Sequence, residues 1–200
     1  MDVFDAIAQR RAVKHYDPSH QMTEEEIQTL MEHVILAPTS FNIQNWRFVV
    51  VTDPEIRQEL RTAAWDQAQV TDASIAIVLC GDLKSWQKDT ARYWRNAPEE
   101  VQNQLVPMIG QFYEGKEGLQ RDEAMRSCGI AGQTIMLAAK AMGYDSCPMI
   151  GFDQERFTEI LRLPEDCVIG FMVVVGKALK PARPRGGQLD LSEVMVRDRF

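Results

Sequence analysis

The chain begins with apolar positions at helical spacing, which predict a first helix that runs to about Arg11. A second helix starts at the capping box Thr23–Glu26, and its apolar positions recur every three or four residues until Pro38 ends it. Asp53 followed by proline is a helix-start signal and predicts a third helix to about Ala64.

Three apolar runs rich in β-branched residues predict strands over residues 46–52, 74–80 and 167–176. A helix over residues 121–142 is apolar nearly all round, so it must be covered on all sides. Its small residues would let another helix approach closely, as at a dimer interface. These residues are Gly129, Gly132, Ala138 and Ala139.

The pattern is weakest over residues 83–117, where Pro98 and Pro107 interrupt polar helical segments. A short helix is expected between Asp153 and Pro164. The last 24 residues are rich in proline and arginine, with too little apolar pattern for a domain, so they are expected to wrap a neighbouring subunit. Strands scattered among helices predict a single α+β or α/β domain over residues 1–200.

Composition excludes several classes of protein. A net charge of −7 and a pI near 5.0 argue against nucleic-acid binding. The longest apolar run is about half the ~20 residues that a membrane helix needs. The acidic, soon polar N-terminus is not a signal peptide, and four cysteines without C-x-x-C spacing are expected to be reduced thiols, which together predict a cytoplasmic protein. Neither metal-ligand spacing nor a G-x-G-x-x-G, Walker A or G-x-S-x-G motif occurs.

Basic residues gather at both ends of this acidic chain. Arg10, Arg11 and Lys14 follow the first helix, and Arg183 and Arg185 lie in a proline-rich tail. Such a mixed cluster suits a phosphate, which arginine binds with a fork and lysine with a movable point charge. The alternative is that Arg10 and Lys14, four residues apart on a helix, complement the helix macrodipole.

Two polar segments could bind the edge of a heterocycle. The loop over residues 38–46 contains hydroxyl and amide groups, and Gln67 and Gln69 add two amides. The alternative for residues 38–46 is that their side chains only stabilise a turn, and the alternative for the two glutamines is a solvated loop. Residues 147–152 are either a turn in which Gly151 supplies an unusual backbone angle, or a segment whose backbone N–H groups face a ligand.

Five segments in this order resemble the nitroreductase family of FMN-dependent NAD(P)H oxidoreductases, over nearly the whole chain. They are Ala6-Ile-Ala-Gln-Arg-Arg-Ala-Val-Lys14, Ala37-Pro-Thr-Ser-Phe-Asn-Ile-Gln-Asn-Trp46, Trp65-Asp-Gln-Ala-Gln-Val70, Ala138-Ala-Lys-Ala-Met-Gly143 with Pro148-Met-Ile-Gly-Phe-Asp153, and Arg183-Pro-Arg185. The resemblance implies an α+β three-layer sandwich with a mostly antiparallel central sheet flanked by helices. It also implies a homodimer with an exchanged C-terminal tail and two FMN molecules at the interface.

The resemblance assigns cofactor-binding roles to several groups of residues. The FMN phosphate and ribityl end would contact Arg10, Arg11, Ala12, Lys14, Arg183 and Arg185. The flavin of the other subunit would be reached by Pro38, Thr39, Ser40, Asn42 and Gln44. Gln67 and Gln69 would meet the pyrimidine edge and stabilise negative charge near N1 and O2. The isoalloxazine would lie along Pro148, Met149, Ile150 and Gly151, with a backbone N–H near Ile150 aimed at N5.

Three residues depart from the family pattern. Ala12 and Asn45 occupy positions where serine and proline are common, and Ile150 lacks the carboxylate of some members. The wall of the acceptor pocket would include Phe41 and Trp65. The alternative is that both side chains only pack at the subunit interface.

The implied activity is ping-pong transfer from transiently bound NAD(P)H to flat, electron-poor acceptors such as nitroaromatics and quinones. No side-chain acid or base is required, so no catalytic residue is assigned. An enone or aldehyde reductase, a reductive dehalogenase and a flavin-binding protein without turnover are the alternatives. The sequence does not indicate the physiological acceptor or a preference between NADH and NADPH.

Overall fold

The computed structural model describes all 200 residues. The helices are α1 (Val3–Gln9), α2 (Glu24–Val34), α3 (Pro54–Ala63), α4 (Gln69–Asp72), α5 (Glu99–Tyr113), α6 (Glu117–Ala141), α7 (Gln154–Leu161) and α8 (Leu191–Val194). The strands are β1 (Trp46–Val51), β2 (Ile75–Asp82), β3 (Asp145–Met149) and β4 (Cys167–Gly176). Short 3₁₀ turns span Ser40–Asn42, Ser85–Gln87 and Thr90–Trp94.

The four strands form one antiparallel sheet in the order β1-β2-β4-β3. Successive residues of the central strand β2 face opposite sides: Ala76 and Val78 enter one core, and Ile75 and Ile77 enter the other. All four are buried, which explains why this strand reads as a continuous apolar run.

Helices cover both faces of the sheet. One core contains Leu60 of α3, Val70 of α4 and Phe157 of α7, while the other contains Leu30 of α2 and Ile135 of α6. The α+β sandwich with three layers and an antiparallel central sheet is thus confirmed.

Two predicted helix starts are also confirmed. Glu26 donates its backbone N–H to Thr23 Oγ1 at 3.2 Å and accepts from the Thr23 N–H at 2.8 Å. Asp53 accepts from the N–H groups of Glu55 and Ile56, both at 2.9 Å. These bonds, reciprocal only between Thr23 and Glu26, satisfy N–H groups that have no partner within a helix.

The sequence suggested that the small residues of α6 face another helix. In the structure not all of them do. A Cβ at Gly132 would lie 2.0 Å from Cζ of Phe171 on β4, and Ala139 is fully buried in the core beneath the sheet. Gly132 therefore allows the helix to pack closely on the sheet. A Cβ at Gly129, by contrast, would meet no atom within 4 Å.

Two other expectations are wrong. Residues 145–149 form strand β3, so the turn that was one alternative for residues 147–152 is wrong for the first three of them. Pro148 is tolerated there because β3 lies at the edge of the sheet. Pro107 lies inside α5 and does not interrupt it. Asn103, whose carbonyl loses its helical partner there, is exposed, so water can satisfy it.

None of the helices combines the length and apolar character needed to cross a membrane.

Candidate functional site

A cleft of about 670 Å³ adjoins β3 and is lined by Arg10, Arg11, Lys14, Arg183 and Arg185, together with uncharged residues. We call it the cationic cleft. None of its five cations forms an ion pair with a carboxylate. Five unpaired cations repel one another, so the cleft favours an anionic ligand.

The N-terminal cations lie on an extended segment. Helix α1 ends at Gln9, and the Val13 N–H donates to the Ser146 carbonyl of β3 at 3.1 Å. The prediction that Arg10 and Lys14 share a helix face is therefore wrong. Arg10 is the C-cap residue of α1, so the macrodipole alternative applies to Arg10 but not to Lys14. Pairing with β3 instead buries Val13 in the core, while the neighbouring Lys14 remains exposed.

The C-terminal cations reach the same cleft from the other end of the chain. The Arg11 guanidinium donates to the carbonyl of Arg183, and Arg185 Nη2 donates to the carbonyl of Ala8 at 3.0 Å. The structure thus brings together the two basic clusters that the sequence placed at opposite ends.

Both glutamines also line the cationic cleft. Gln67 Nε2 donates to the carbonyls of Gly151 at 2.7 Å and Ala64 at 3.2 Å, and Gln67 Oε1 accepts from Gln69 Nε2 at 3.0 Å. Both side-chain N–H groups of Gln67 therefore donate to protein carbonyls, and one of these bonds holds Gly151 in place. Gln69 retains one N–H and its amide oxygen for a ligand.

The segment after β3 contributes backbone donors. The N–H groups of Ile150 and Gly151 donate to no protein acceptor. A Cβ at Gly151 would lie 3.3 Å from the Trp65 ring, and this glycine does not adopt a positive φ. The unusual-angle alternative is therefore wrong, and a side chain at this position would make a tight contact with Trp65. Pro148 lines the cleft, whereas Met149 is buried in the core.

The turn carrying Trp65 is held in a costly conformation. Trp65 and Asp66 have φ of 54° and 57°, which non-glycine residues rarely adopt, and Trp65 is 69% exposed. Buried Arg57 fixes the segment that follows, by donating to the carbonyls of Val70 and Ser74. Strain of this kind is common where a ligand binds.

The other predicted cofactor residues lie in the loop that precedes β1, which we call the β1 loop (residues 38–44). Phe41, Asn42 and Gln44 have positive φ. The Ser40 N–H donates to Glu123 Oε1 of α6 at 3.2 Å, and Thr39 Oγ1 accepts from the Gln44 N–H at 2.9 Å.

Residues from the poorly patterned region also hold the β1 loop. Asn42 Nδ2 donates to the Tyr93 carbonyl at 2.8 Å, and Trp94 Nε1 donates to the Phe41 carbonyl at 3.1 Å. Phe41 packs on Phe112 of α5 with ring centroids 5.3 Å apart. No pattern in the sequence indicates these contacts.

A buried carboxylate anchors the strand that follows the β1 loop. Asp82 accepts from Arg47 at 2.8 Å, from Lys88 at 3.0 Å and from the Lys84 N–H at 2.9 Å. Although burial alone would raise its pKa, the Lys88, Lys84 and Arg47 interactions together lower the pKa of Asp82.

The β1 loop and the cationic cleft lie at opposite edges of the sheet. β1 and β3 are three interstrand spacings apart, about 14 Å. Trp46 of β1 is level with Val168 of β4, whereas Ser146 of β3 is level with Val175, about 20 Å further along the strand. One ligand molecule therefore cannot contact both regions of the same chain.

Other kinds of catalytic centre find little support. Burial raises the pKa of the Cys80 and Cys128 thiols to about 12, so both stay protonated. All four cysteines are free, and no group of three His, Cys, Asp or Glu side chains could hold a metal ion.

The donor set of the cationic cleft fits FMN, the cofactor implied by the sequence resemblance. The unpaired cations suit its phosphate, while Gln69 and the free N–H groups of Ile150 and Gly151 suit the polar edge of its ring.

Known proteins resemble this chain over most of its length. The model of the nitroreductase family matches residues 7–177. Protein DrgA of Synechocystis sp. is 59% identical over 91% of this chain and 87% of its own length. A Thermus thermophilus protein named NADH dehydrogenase is 31% identical, with coverage of 98% and 96%. A CLA biosynthesis enone reductase of Lactiplantibacillus plantarum is 29% identical, with coverage of 88% and 86%.

Solved structures share the fold. A provisionally named nitroreductase from Exiguobacterium sibiricum, crystallised in complex with FMN, superposes with a TM-score of 0.92 and 28% identity. The match covers 98% of this chain and 97% of that chain.

Proposed function

The chain belongs to the nitroreductase family, and we propose that it acts as a homodimer with two FMN molecules at its subunit interface. It is an NAD(P)H-dependent flavin oxidoreductase with FMN as its cofactor. In this proposal residues 1–200 form one FMN-binding domain, and the part of the tail that follows Arg185 is exchanged between subunits, while Arg183 and Arg185 stay with their own chain. Its free thiols favour a cytoplasmic enzyme.

The observation that carries the proposal is the convergence of five unpaired cations beside two glutamine amides. Arg10, Lys14 and Arg183 would neutralise the phosphate, and Arg11 and Arg185 would hold the two ends of the chain together through the carbonyls they contact. Gln69 and the Ile150 N–H would orient the ring, while Gln67 fixes Gly151 beside it.

The separation between the two edges of the sheet supports a site built from two chains. The β1 loop cannot reach the cationic cleft of its own chain, so Ser40, Asn42 and Gln44 would contact FMN bound by the partner. Exposed apolar residues at the N-terminus, Val3, Phe4 and Ile7, would be covered in such a dimer.

When bound, FMN supplies two-electron chemistry, oxidising NAD(P)H and reducing a flat, electron-poor acceptor such as a quinone or nitroaromatic in a ping-pong cycle. The protein's part is binding and orientation. Exposed Trp65 and half-buried Phe41 are the side chains that we propose as walls of the acceptor pocket. No side-chain acid or base is needed.

The visible spectrum of the purified protein tests this proposal. We expect a flavin spectrum that bleaches under argon on addition of NADH or NADPH and returns when a quinone is added. A colourless protein that does not take up FMN would contradict it. A yellow protein that neither nucleotide bleaches would instead be a flavin-binding protein without turnover.

An enone reductase is a second candidate, because an enone reductase shares 29% identity with this chain. The ratio of kcat/KM for a conjugated enone to that for a quinone separates the two activities. A ratio above one would favour the enone reductase.

A further inference from the structure

A second cleft, of about 750 Å³, opens beside the β1 loop, and the proposed function uses none of its arginines. We call it the arginine cleft. Its principal lining residues are Asn42, Gln44, Trp46, Arg92, Trp94 and Arg95. No acidic side chain lines it, although the protein as a whole is acidic.

The cations of the arginine cleft are only partly engaged. Arg92 lies over the Tyr93 ring, 4.8 Å from its centroid, and donates to the Tyr93 hydroxyl at 2.9 Å. Arg95 has no hydrogen-bond or ion-pair partner. Arg47 also lines the cleft but is committed to Asp82. The cleft therefore offers a free guanidinium and a second one held against an aromatic ring.

Neutral donors and flat surfaces complete the lining. Asn42, Gln44 and Asn96 supply amide groups to the lining. Tyr93 and Trp94 supply aromatic surface against which a planar base could pack. Guanidinium groups beside aromatic rings suit a nucleotide, which has both phosphate and a flat base.

We propose that the arginine cleft binds the adenosine phosphate part of NAD(P)H, with Arg95 as its phosphate contact. The inference rests on the proposed function, because Asn42 and Gln44 line this cleft and belong to the loop that would reach the partner's FMN. A nucleotide with its nicotinamide at that flavin would then extend into the arginine cleft. A one-ring acceptor would leave most of this volume empty.

Binding of adenosine 2′,5′-bisphosphate and of ADP, measured by titration calorimetry on the protein as purified, tests the inference without turnover. We expect Arg95→Ala to raise both Kd values about fivefold, the effect of losing one exposed charged contact. Arg95→Lys keeps the charge and should stay within about twofold of wild type. Arg121→Ala, which removes an exposed cation of α6 outside this cleft, should change nothing.

Steady-state kinetics of the FMN-loaded enzyme give an independent readout. Arg95→Ala should raise the KM for NADPH and NADH, with the KM for a neutral quinone and the flavin content unchanged. Absence of ADP binding in the wild type, or a change confined to the KM of the acceptor, would overturn the inference. A protein that binds ADP but takes up no FMN would refute the proposed function and leave the nucleotide cleft standing.

Discussion

The two edges of the sheet satisfy their polar groups in different ways. At the β3 edge, the cations of the cationic cleft have no carboxylate partner, and the N–H groups of Ile150 and Gly151 are free. At the β1 edge, Ser40, Asn42 and Gln44 each donate to a protein acceptor, and Asp82 neutralises the cations around it. The first edge is therefore incomplete without a ligand. At the second edge the β1 loop is rigidly held, and the cation left without a partner is Arg95 of the neighbouring arginine cleft.

The largest effect should come from reversing a charge in the cationic cleft. We expect Arg10→Glu to weaken FMN binding about 100-fold, roughly 2.7 kcal/mol, because it removes a charge-assisted contact and adds repulsion. Fluorescence titration of the apoprotein with FMN measures the change. Arg121→Glu makes the same charge change on α6 and should bind FMN normally; equal losses in both variants would mean that net charge alone is responsible.

The next largest effect concerns stability at the β1 edge. Asp82→Asn leaves Arg47 without a carboxylate and Lys88 with only one of its two, Asp166, and should lower the free energy of unfolding by about 2 kcal/mol at pH 7. This is less than for a fully buried pair, because the two cations are 39% and 41% exposed and water screens them. Urea unfolding monitored by circular dichroism gives the value.

The stability loss in Asp82→Asn should depend on pH. The pKa of Asp82 in the folded protein lies below its ordinary value of 3.8, so the carboxylate stabilises the fold above that pH. Its contribution is lost as the pH falls through the folded pKa. The stability difference between wild type and Asp82→Asn should therefore shrink below about pH 4. A difference that stays constant down to pH 2 would disprove the role given to this carboxylate.

The sequence predicted the site residues at the β3 edge better than the supporting contacts at the β1 edge. Cations in an acidic chain signal an anion site by residue type alone, so the five members of the cationic cleft were found. Local signals also identified the caps at Thr23 and Asp53. The supports of the β1 edge gave no such signal, because Asp82 and Glu123 acquire their roles from partners distant in the chain.

The prediction of secondary structure failed where pairing with a distant strand determines the conformation. Residues 10–14 are extended because Val13 bonds to Ser146, a partner that local spacing does not reveal. Strand β3 is short and contains Pro148, so its pattern resembled a turn. The sequence identified β1, β2 and β4. The two central strands, β2 and β4, show a clear apolar run because they are continuously buried, and the edge strand β1 is marked by its β-branched residues.

A smaller effect should follow from loosening the β1 loop without touching the cationic cleft. Glu123→Ala removes the acceptor of the Ser40 N–H and should weaken FMN binding about fivefold, the equivalent of one hydrogen bond. Asp122→Ala removes an exposed carboxylate from the adjacent position of α6 and serves as the matched control. Unchanged FMN affinity in Glu123→Ala would show that the loop's position does not matter to the flavin.

The smallest expected effect is a twofold change in FMN content relative to wild type. It shows most directly whether the two edges that form one site come from different chains. Arg10→Glu damages the cationic cleft, and Ser40→Trp would block the β1 loop, so either homodimer should hold little FMN. In a heterodimer purified with two different tags, one site combines the intact cleft of the Ser40→Trp chain with the intact loop of the Arg10→Glu chain. We expect about one FMN per dimer, half the wild-type content measured by absorbance. If each site were built within a single chain, every site would carry one lesion, and the heterodimer would stay as empty as its parents.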